Sequence, residues 1–374
     1  MMKRRLMLLA AARLIGGQRA GDRPRAAFHY SAVFSAEEAR WYSQFEILVT
    51  GGILDREQTA RLRVAGAKKL TAYEWTSAFY PGDAVSATPD WQSAVARHAA
   101  DWLIQREAEG GGAAEAGKRA LWYDFANPEM INSRVRHLAD VLRRERYDGY
   151  FFDTPGSEYL PEPVRRQFQK RHPGLDYDVC MGGFFAALRR ALPPGAIVFT
   201  NQAYRHAGVL LPHADLDLSE SCFTATTSAG GTLFRPWHDP LKPWESIRTP
   251  FAELIEPALK TFPKVTMIHV NYAAGPPDEI ARAVVYSFCC AKLFGHESYL
   301  IAPSDAESER NRTYFEALGA PAGDRVEEPG GTVIWRPYDQ GTVVVQAGGP
   351  PVIVKALGVQ LPGGLFRGMV LPKS

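Results

Sequence analysis

The sequence predicts an α/β fold, a (β/α)8 TIM barrel with a small antiparallel β appendage at its C-terminal end. Three observations lead to this prediction. Short apolar runs alternate with longer segments of helical periodicity, eight such runs can be counted, and they span about 280 residues of the 374-residue chain. This alternation is typical of parallel strands that are each followed by a helix. An open dinucleotide-binding sheet would require a GxGxxG turn after its first strand, and residues 51–54 do not supply one.

The apolar runs assigned to the eight strands are 45–50, 68–75, 120–124, 150–153, 196–201, 215–220, 264–271 and 297–302. Helical periodicity is clearest in 91–107, where Val95, Ala99 and Trp102 share one face, and in 132–146. These helices are expected to surround the strands and to bury their apolar faces against them.

The chain divides into three predicted parts. Residues 1–27 form a leader outside the fold, 28–320 form the barrel, and 326–374 form the small β subdomain, in which Gly341 belongs to the turn of a hairpin. The leader begins with basic residues followed by the apolar stretch 6–12, as a secretory signal does, which favours a secreted or periplasmic location over a cytoplasmic one. No run of about 18 apolar residues occurs, so no membrane span is predicted.

Composition excludes several classes of protein. Lys and Arg total 43 against 41 Asp and Glu, for a net charge of +2, so there is no surplus of positive charge for binding nucleic acid. The four cysteines form no CxxC, and the nine histidines form no HxH or HExxH. We therefore expect neither a bound metal nor another cofactor.

The ends of the predicted strands carry the candidate chemistry. In a (β/α)8 barrel the active site lies at the C-terminal ends of the strands. Four of the runs end in a carboxylate, at Glu74, Asp124, Asp153 and Glu220. Neighbouring carboxylates repel each other and raise one another's pKa. A cluster of them is therefore unfavourable unless function retains it, which favours a functional site at this rim. Paired carboxylates without metal ligands are the working groups of glycoside hydrolysis.

Further residues near the same rim are candidates for substrate binding, because aromatic rings can stack on sugars and polar side chains can bond hydroxyl groups. Two of the four strand-end carboxylates, Glu74 and Asp124, belong to this set. Its members are Glu74, Trp75, Asp124, Asn201, Tyr204, Trp237, His269, Asn271 and Tyr272. Trp237 belongs to the long connection 221–249, which is long enough either to wall a substrate cleft or to cover an exposed edge of the barrel. Asp217 is an alternative to Glu220 as the acid, because the pattern of 215–218 leaves the facing of that strand open.

Two segments resemble a known family. Residues 122–129 contain a D-x-x-N-P element, and 147–154 contain the element Y-D-G-Y-F-F-D. Both are similar to the third and fourth strands of glycoside-hydrolase barrels related to the endo-α-1,4-polygalactosaminidases. Glu74 resembles the end of strand two in that group, and Glu220 resembles its N-E-S strand-six end, with Ser219 in place of Asn. The resemblance implies a carbohydrate-active barrel whose leading catalytic pair is Asp153 and Glu220.

The resulting hypothesis is a glycosidase that cleaves an α-linked poly- or oligosaccharide, with Asp153 as nucleophile or base and Glu220 as general acid. A second hypothesis is a non-catalytic carbohydrate-binding barrel that serves polysaccharide export or envelope maintenance. A third, a lyase or isomerase, would need Arg205 or His269 as an electrophile. The separation of the two carboxyl groups discriminates the first hypothesis from the second, since catalysis requires about 5–9.5 Å.

Overall fold

The computed structural model describes residues 25–30, 33–82, 88–104, 120–302, 317–364 and 366–373. Eight parallel strands form one sheet in strict chain order, which confirms the predicted barrel class. The strands are β1 (Ala26–His29), β2 (Ile47–Thr50), β3 (Lys69–Trp75), β4 (Gly149–Asp153), β5 (Ile197–Asn201), β6 (Leu216–Glu220), β7 (Thr266–Tyr272) and β8 (Glu297–Ile301). The sheet nearly closes on itself, because the ring of Phe28 on β1 lies 6.0 Å from that of Tyr299 on β8.

Membership of the barrel differs from the prediction at two places. β1 begins at Ala26, inside the segment predicted as a leader, of which residues 1–24 lie outside the described part. The run 120–124 is not a barrel strand: Leu121–Tyr123 pairs antiparallel with Ala78–Phe79 and Leu103–Ile104 in a separate small sheet, while β3 pairs directly with β4. The run 120–124 is as short and apolar as the barrel strands, and only its pairing partners show that it lies outside the barrel.

Helices pack around the strands. The longer ones are α1 (Ala36–Tyr42), α2 (Arg56–Val64), α3 (Pro89–Arg97), α4 (Pro128–Glu145), α5 (Glu162–Arg171), α6 (Tyr177–Ala191), α7 (Glu256–Thr261) and α8 (Pro277–Leu293). Several begin at residues whose side chains accept backbone N–H groups, such as Asn127 before α4 and Asp176 before α6. The predicted helix 91–107 is shorter than expected, since α3 ends at Arg97 and a separate turn, Ala99–Trp102, leads into the strand Leu103–Ile104. In the described part of the chain, no helix is long and apolar enough to cross a membrane.

The register of β4 is set at its N-terminal end. Asp148 accepts a hydrogen bond from the backbone N–H of Leu70 (2.8 Å) and pairs with Arg63. Gly149 follows, and an added Cβ there would lie 2.1 Å from the carbonyl oxygen of Ile197 on β5, so only glycine allows the two strands to approach. The Asp and Gly of the Y-D-G element therefore hold the strand in register, and Asp153 lies at its other end.

A four-stranded antiparallel sheet follows the barrel. Its strands are Val326–Glu327, Val333–Tyr338, Gly341–Ala347 and Phe366–Pro372. The last strand packs on α8, where a Cβ added to Gly368 would lie 2.5 Å from the carbonyl oxygen of Val285. This is the small β appendage that the sequence predicts, and it packs against the outer helical layer of the barrel.

Candidate active site

A cavity of about 690 Å³ opens at the C-terminal end of the barrel strands. It is lined by residues at or directly after the C-terminal ends of seven strands, β1 to β7, and by one loop. The lining residues are Tyr30, Gly51, Tyr73, Trp75, Tyr80, Pro81, Gly82, Phe151, Asp153, Asn201, Leu218, Glu220, Val270 and Tyr272. Of the described residues that line the cavity, none is a lysine, arginine or histidine, so two carboxylates supply its formal charge.

Asp153, the last residue of β4, accepts three hydrogen bonds. The Tyr73 hydroxyl donates to Oδ2, and Asn201 Nδ2 (2.7 Å) and the backbone N–H of Thr154 (2.9 Å) donate to Oδ1. Burial raises the pKa of Asp153, while these donors favour its ionised form and oppose that shift. The carboxylate is thus enclosed and held in one orientation.

Glu220, the last residue of β6, lies beside it. Its Oε2 accepts a hydrogen bond from Asn201 Nδ2 (3.1 Å) and its Oε1 accepts one from the Tyr272 hydroxyl (2.8 Å). One amide nitrogen therefore donates to both carboxylates. Two acceptors of the same nitrogen, at 2.7 and 3.1 Å, lie no more than about 6 Å apart.

The chain turns sharply after each of these three polar residues. Thr154, Gln202 and Ser221, which follow Asp153, Asn201 and Glu220, have φ angles of 52°, 61° and 55°. A left-handed backbone at a residue other than glycine costs on the order of 1 kcal/mol, so the surrounding structure must hold it. Such strain at three successive strand ends is a feature of functional sites.

Alternation along the strands decides which predicted residues reach the cavity. On β6, Leu218 and Glu220 line it, so Asp217 points to the outside of the barrel. There Asp217 is fully buried and accepts hydrogen bonds from the Thr200 hydroxyl (2.8 Å) and from the backbone N–H groups of Ala203 (3.0 Å) and Tyr204 (2.8 Å). It stabilises the turn that follows Asn201.

The same alternation separates Tyr272, which lines the cavity, from His269 and Asn271 on β7. His269 is buried and contacts His296 through a hydrogen bond (3.0 Å), and burial lowers its pKa to about 3, so it stays neutral. The side chain of Asn271 accepts the backbone N–H groups of Phe223 (2.9 Å) and Thr224 (3.1 Å). Both residues stabilise the barrel wall rather than lining the cavity.

The other candidates on the list also have partners outside the cavity. Glu74 points away from it and forms a buried ion pair with Arg134 (2.7 Å), and Asp124 pairs with His172 (2.8 Å). Tyr204 and Trp237 are buried as well, at 5% and 1% exposure. The structure therefore brings Asp153, Glu220, Trp75, Asn201 and Tyr272 together and places the rest of the predicted set elsewhere.

Three tyrosines outside the predicted set of site residues complete the site: Tyr30, Tyr73 and Tyr80. Burial raises the pKa of Tyr73, and the nearby carboxylate of Asp153 adds to the shift, so Tyr73 remains a neutral donor. Tyr73 was within reach of a sequence argument, because it is two residues from Trp75 and must face the same side of β3. Tyr30 gave no such signal, since it follows a strand that straddles the predicted boundary between leader and barrel and was not recognised as a strand.

One group of possible metal ligands occurs in the described residues, outside the cavity lining: Glu158, Asp178 and His206. The two ring nitrogens of His206 contact different carboxylates, Nε2 that of Glu158 and Nδ1 that of Asp178 (3.3 Å). Asp178 also accepts hydrogen bonds from the backbone and hydroxyl of Ser157 (2.7 Å each). The hydrogen-bond donors are thus already matched, and we assign no metal to this group.

Solved structures share the barrel fold that holds these two carboxylates. The solved structures that match include the glycoside hydrolase domain of PelA from Pseudomonas aeruginosa, at 21% identity and a TM-score of 0.51, over 76% of this chain and 98% of that one. They also include a GH36 α-galactosidase, AgaA from Geobacillus stearothermophilus in complex with stachyose, at 11% identity and a TM-score of 0.52. That match covers 94% of this chain and 56% of the galactosidase.

Searches against family models and against curated proteins found no match. At the identities of the structural matches, the shared property is the fold. The chain has the barrel fold of glycoside-hydrolase domains, and the resemblance predicted from its sequence is confirmed at that level.

Proposed function

We propose that the protein is a glycoside hydrolase that cleaves an α-linked poly- or oligosaccharide with Asp153 and Glu220 as its catalytic pair. The observation that carries the proposal is the shared donor, Asn201 Nδ2, which holds both carboxylates at one cavity. Two carboxylates this close repel each other, and no cation occurs among the described residues that line the cavity, so a reaction that uses two acids accounts for their being kept there.

The spacing favours a retaining mechanism. Carboxyl groups in retaining enzymes lie about 5–5.5 Å apart, whereas inverting enzymes need about 6.5–9.5 Å to admit a water molecule between the acid and the sugar. The two oxygens that share the nitrogen of Asn201 lie within about 6 Å of each other, which is below the inverting range. In this mechanism one carboxylate attacks the anomeric carbon, and the other protonates the leaving oxygen and later activates water.

The environments of the two groups favour a division of roles. Asp153 accepts three hydrogen bonds, one of them from a backbone N–H, which suits a carboxylate that must be ionised in order to attack. Glu220 accepts two, neither of them from the backbone, so fewer donors favour its ionised form, which suits a group that gains and loses a proton in each cycle. We therefore assign Asp153 as nucleophile and Glu220 as acid and base.

Substrate binding is assigned to the aromatic wall of the cavity. Trp75 and Tyr80 pack against each other with ring centroids 5.0 Å apart, and Tyr272 lies on another side of the same cavity. Such rings offer flat apolar surfaces to the faces of sugars. The α-linkage is supported by the resemblance to endo-α-1,4-polygalactosaminidases and by the activity named for the α-galactosidase neighbour.

The test is hydrolysis of a panel of amino-sugar and neutral α-glycans, scored by release of reducing ends. The Asp153→Asn and Glu220→Gln variants should each lose activity by about 10² to 10⁴-fold. Glu245→Gln, a change at an exposed carboxylate in the 221–249 connection, serves as the matched control and should retain it. NMR of the first-formed product should show the anomeric configuration of the substrate.

Two outcomes would contradict the proposal. Activity that survives both cavity substitutions would remove Asp153 and Glu220 from the mechanism. Saturable binding of a glycan without any hydrolysis by the unmodified protein would instead support the non-catalytic binding barrel.

A further inference from the structure

Arg134, on α4, is a buried cation behind the aromatic wall of the cavity. Its side chain is 0% exposed, and its guanidinium carbon lies 4.1 Å from the centroid of the Tyr123 ring. Glu74 supplies the opposite charge through its Oε1 (2.7 Å). Burying two charges costs free energy that a well-packed apolar pair often avoids, so stability alone gives no reason for this pair.

The other contacts of the guanidinium are with the backbone at the end of β3. Nη1 donates to the carbonyl oxygen of Thr76 (2.6 Å), and Nη2 donates to that of Trp75. Arginine pairs most strongly with a carboxylate through two parallel hydrogen bonds, yet Oε2 of Glu74 has no hydrogen-bond partner among the described residues. The guanidinium is therefore directed at the two carbonyl groups as much as at the carboxylate.

The segment that Arg134 holds carries the wall of the cavity. Of residues 75–82, Trp75 and Tyr80 line the cavity together with Pro81 and Gly82. The ring of Trp75 contacts that of Tyr80, with centroids 5.0 Å apart. The position of the backbone at residue 75 therefore decides where this aromatic surface lies.

A second set of contacts ties the same segment to the strand of the nucleophile. The backbone N–H of Thr76 donates to the carbonyl oxygen of Asp153 (2.9 Å), and the Ser77 hydroxyl donates to that of Thr154 (2.6 Å). Carbonyl groups of the segment are thus held by α4, while its donors are held by the end of β4. The two anchors together fix the distance between the wall and the catalytic carboxylate.

We infer that Arg134 is a positioning residue that places Trp75, and with it the sugar-binding wall, relative to Asp153. It acts through the backbone carbonyl groups of residues 75 and 76. Its effect on the reaction rests on the proposed glycosidase function. The placement of Trp75 does not, because it is a property of the folded chain.

The first test is the Arg134→Lys variant, measured as kcat and KM on the hydrolysed glycan. Lysine keeps the charge beside Glu74, but it replaces a planar fork of donors by one ammonium group, which cannot hold both carbonyl groups in the same geometry. KM should rise about 3- to 10-fold, the equivalent of one hydrogen bond. The value of kcat should stay within about twofold, because Asp153 keeps its own three donors.

A double-mutant cycle with Trp75→Ala identifies the route of the effect. Once the indole is gone, adding Arg134→Lys should change KM by less than about twofold. An unchanged KM in the single variant, or the same rise with and without the indole, would overturn the inference.

The matched control is Arg63→Lys. Arg63 also pairs with a carboxylate, that of Asp148, and donates to two carbonyl oxygens, those of Ala67 (3.1 Å) and Lys68 (2.7 Å). It lies at the opposite end of the barrel strands, so its replacement should lower the urea midpoint and leave KM within about twofold. A rise in KM equal to that of Arg134→Lys would show general loosening of the barrel and would overturn the inference.

A second variant covers the case in which Arg134→Lys does not fold. Replacing both charges, as Glu74→Met with Arg134→Met, removes the contacts to the carbonyl groups without leaving a buried charge unpaired. This variant should show the same rise in KM. An unchanged KM in a folded protein of this kind would contradict the inference.

Fluorescence tests the placement of Trp75 without any substrate. The signal of this indole is the difference between each protein and its Trp75→Phe counterpart. Its quenching by acrylamide should increase in Arg134→Lys and stay unchanged in Arg63→Lys; equal quenching in both would overturn the inference. If the unmodified protein hydrolyses no glycan, the proposed function fails, while this measurement still decides the role of Arg134.

Discussion

Replacing Asp217 should lower stability, whereas replacing Glu220 should abolish activity, although the two residues lie only three positions apart on one strand. Asp217 is 0% exposed on the outer face of β6, whereas Glu220 ends the strand at the cavity. Asp217→Ala removes the acceptor for the amides of Ala203 and Tyr204. Glu220→Gln removes a titratable group and keeps the shape of the side chain.

The magnitude for Asp217→Ala can be worked out from its contacts. The Thr200 hydroxyl has a second acceptor, the carbonyl oxygen of Leu216 (3.3 Å), and can keep a hydrogen bond. The two backbone amides lose theirs inside the protein, and an unsatisfied buried donor costs about 1–3 kcal/mol. The free energy of unfolding should therefore fall by about 2–6 kcal/mol, a large share of the roughly 5–15 kcal/mol that is typical of a folded domain.

Urea denaturation followed by circular dichroism measures this loss as a lower midpoint at unchanged slope. Glu220→Gln should leave the free energy of unfolding within about 0.5 kcal/mol of the original, as expected for a substitution outside the core. The same variant should abolish hydrolysis. An Asp217→Ala protein with the original stability and no activity would refute the assignment. That result would make Asp217 the acid and would mean that the facing of β6 is wrong.

Two further predictions concern the barrel itself. Gly149→Ala should destabilise the fold by at least about 2 kcal/mol, because its Cβ would lie 2.1 Å from a backbone oxygen of β5. Its control is Gly183→Ala on α6, whose Cβ would meet nothing within 4 Å and which should stabilise the fold by about 0.5–1 kcal/mol. Similar urea midpoints for the two variants would contradict this prediction. The second prediction concerns pH. Burial raises the pKa of Asp217 to about 7, whereas the same carboxyl group has a pKa of about 3.9 in the unfolded chain. Because the folded protein holds this proton more tightly, the free energy of unfolding should fall by up to about 4 kcal/mol as the pH rises from about 4 to 7. Urea midpoints across that range should show the fall in the unmodified protein and a weaker dependence in Asp217→Asn; equal slopes would show that Asp217 is ionised throughout.

Much of the barrel could be predicted because parallel strands and the helices between them differ in length and in the spacing of their apolar residues. Seven of the eight predicted runs correspond to barrel strands. The eighth, 120–124, has the same apolar character but pairs antiparallel with Ala78–Phe79. Strand β1, with the sequence Ala-Ala-Phe-His, is too short to be distinguished from the end of a leader. Pairing partners depend on distant segments, which a local pattern does not contain.

The site was predicted in part for a related reason. The C-terminal ends of parallel strands converge on one rim, so Asp153, Glu220 and Asn201 could be grouped from their positions alone. Which of two adjacent residues faces inward could not be decided, because barrel strands are buried on both sides and lose the alternation of apolar and polar residues that marks a half-exposed strand. Glu74 and Asp217 were candidates for this reason, and each proves to be buried on the outer face.

The sequence by itself determined the class of fold, the rim on which the polar strand ends meet, and the carboxylates available there. Tertiary structure decided which of those carboxylates point into the cavity and which neighbours orient them. Tyr30 shows why: its position depends on the pairing of β1 with β2 beside Gly51, and the ring that it contacts, Tyr73, comes from a third strand. The direction of a side chain in a barrel is set by the register and tilt of all eight strands together, which is a property of the closed sheet.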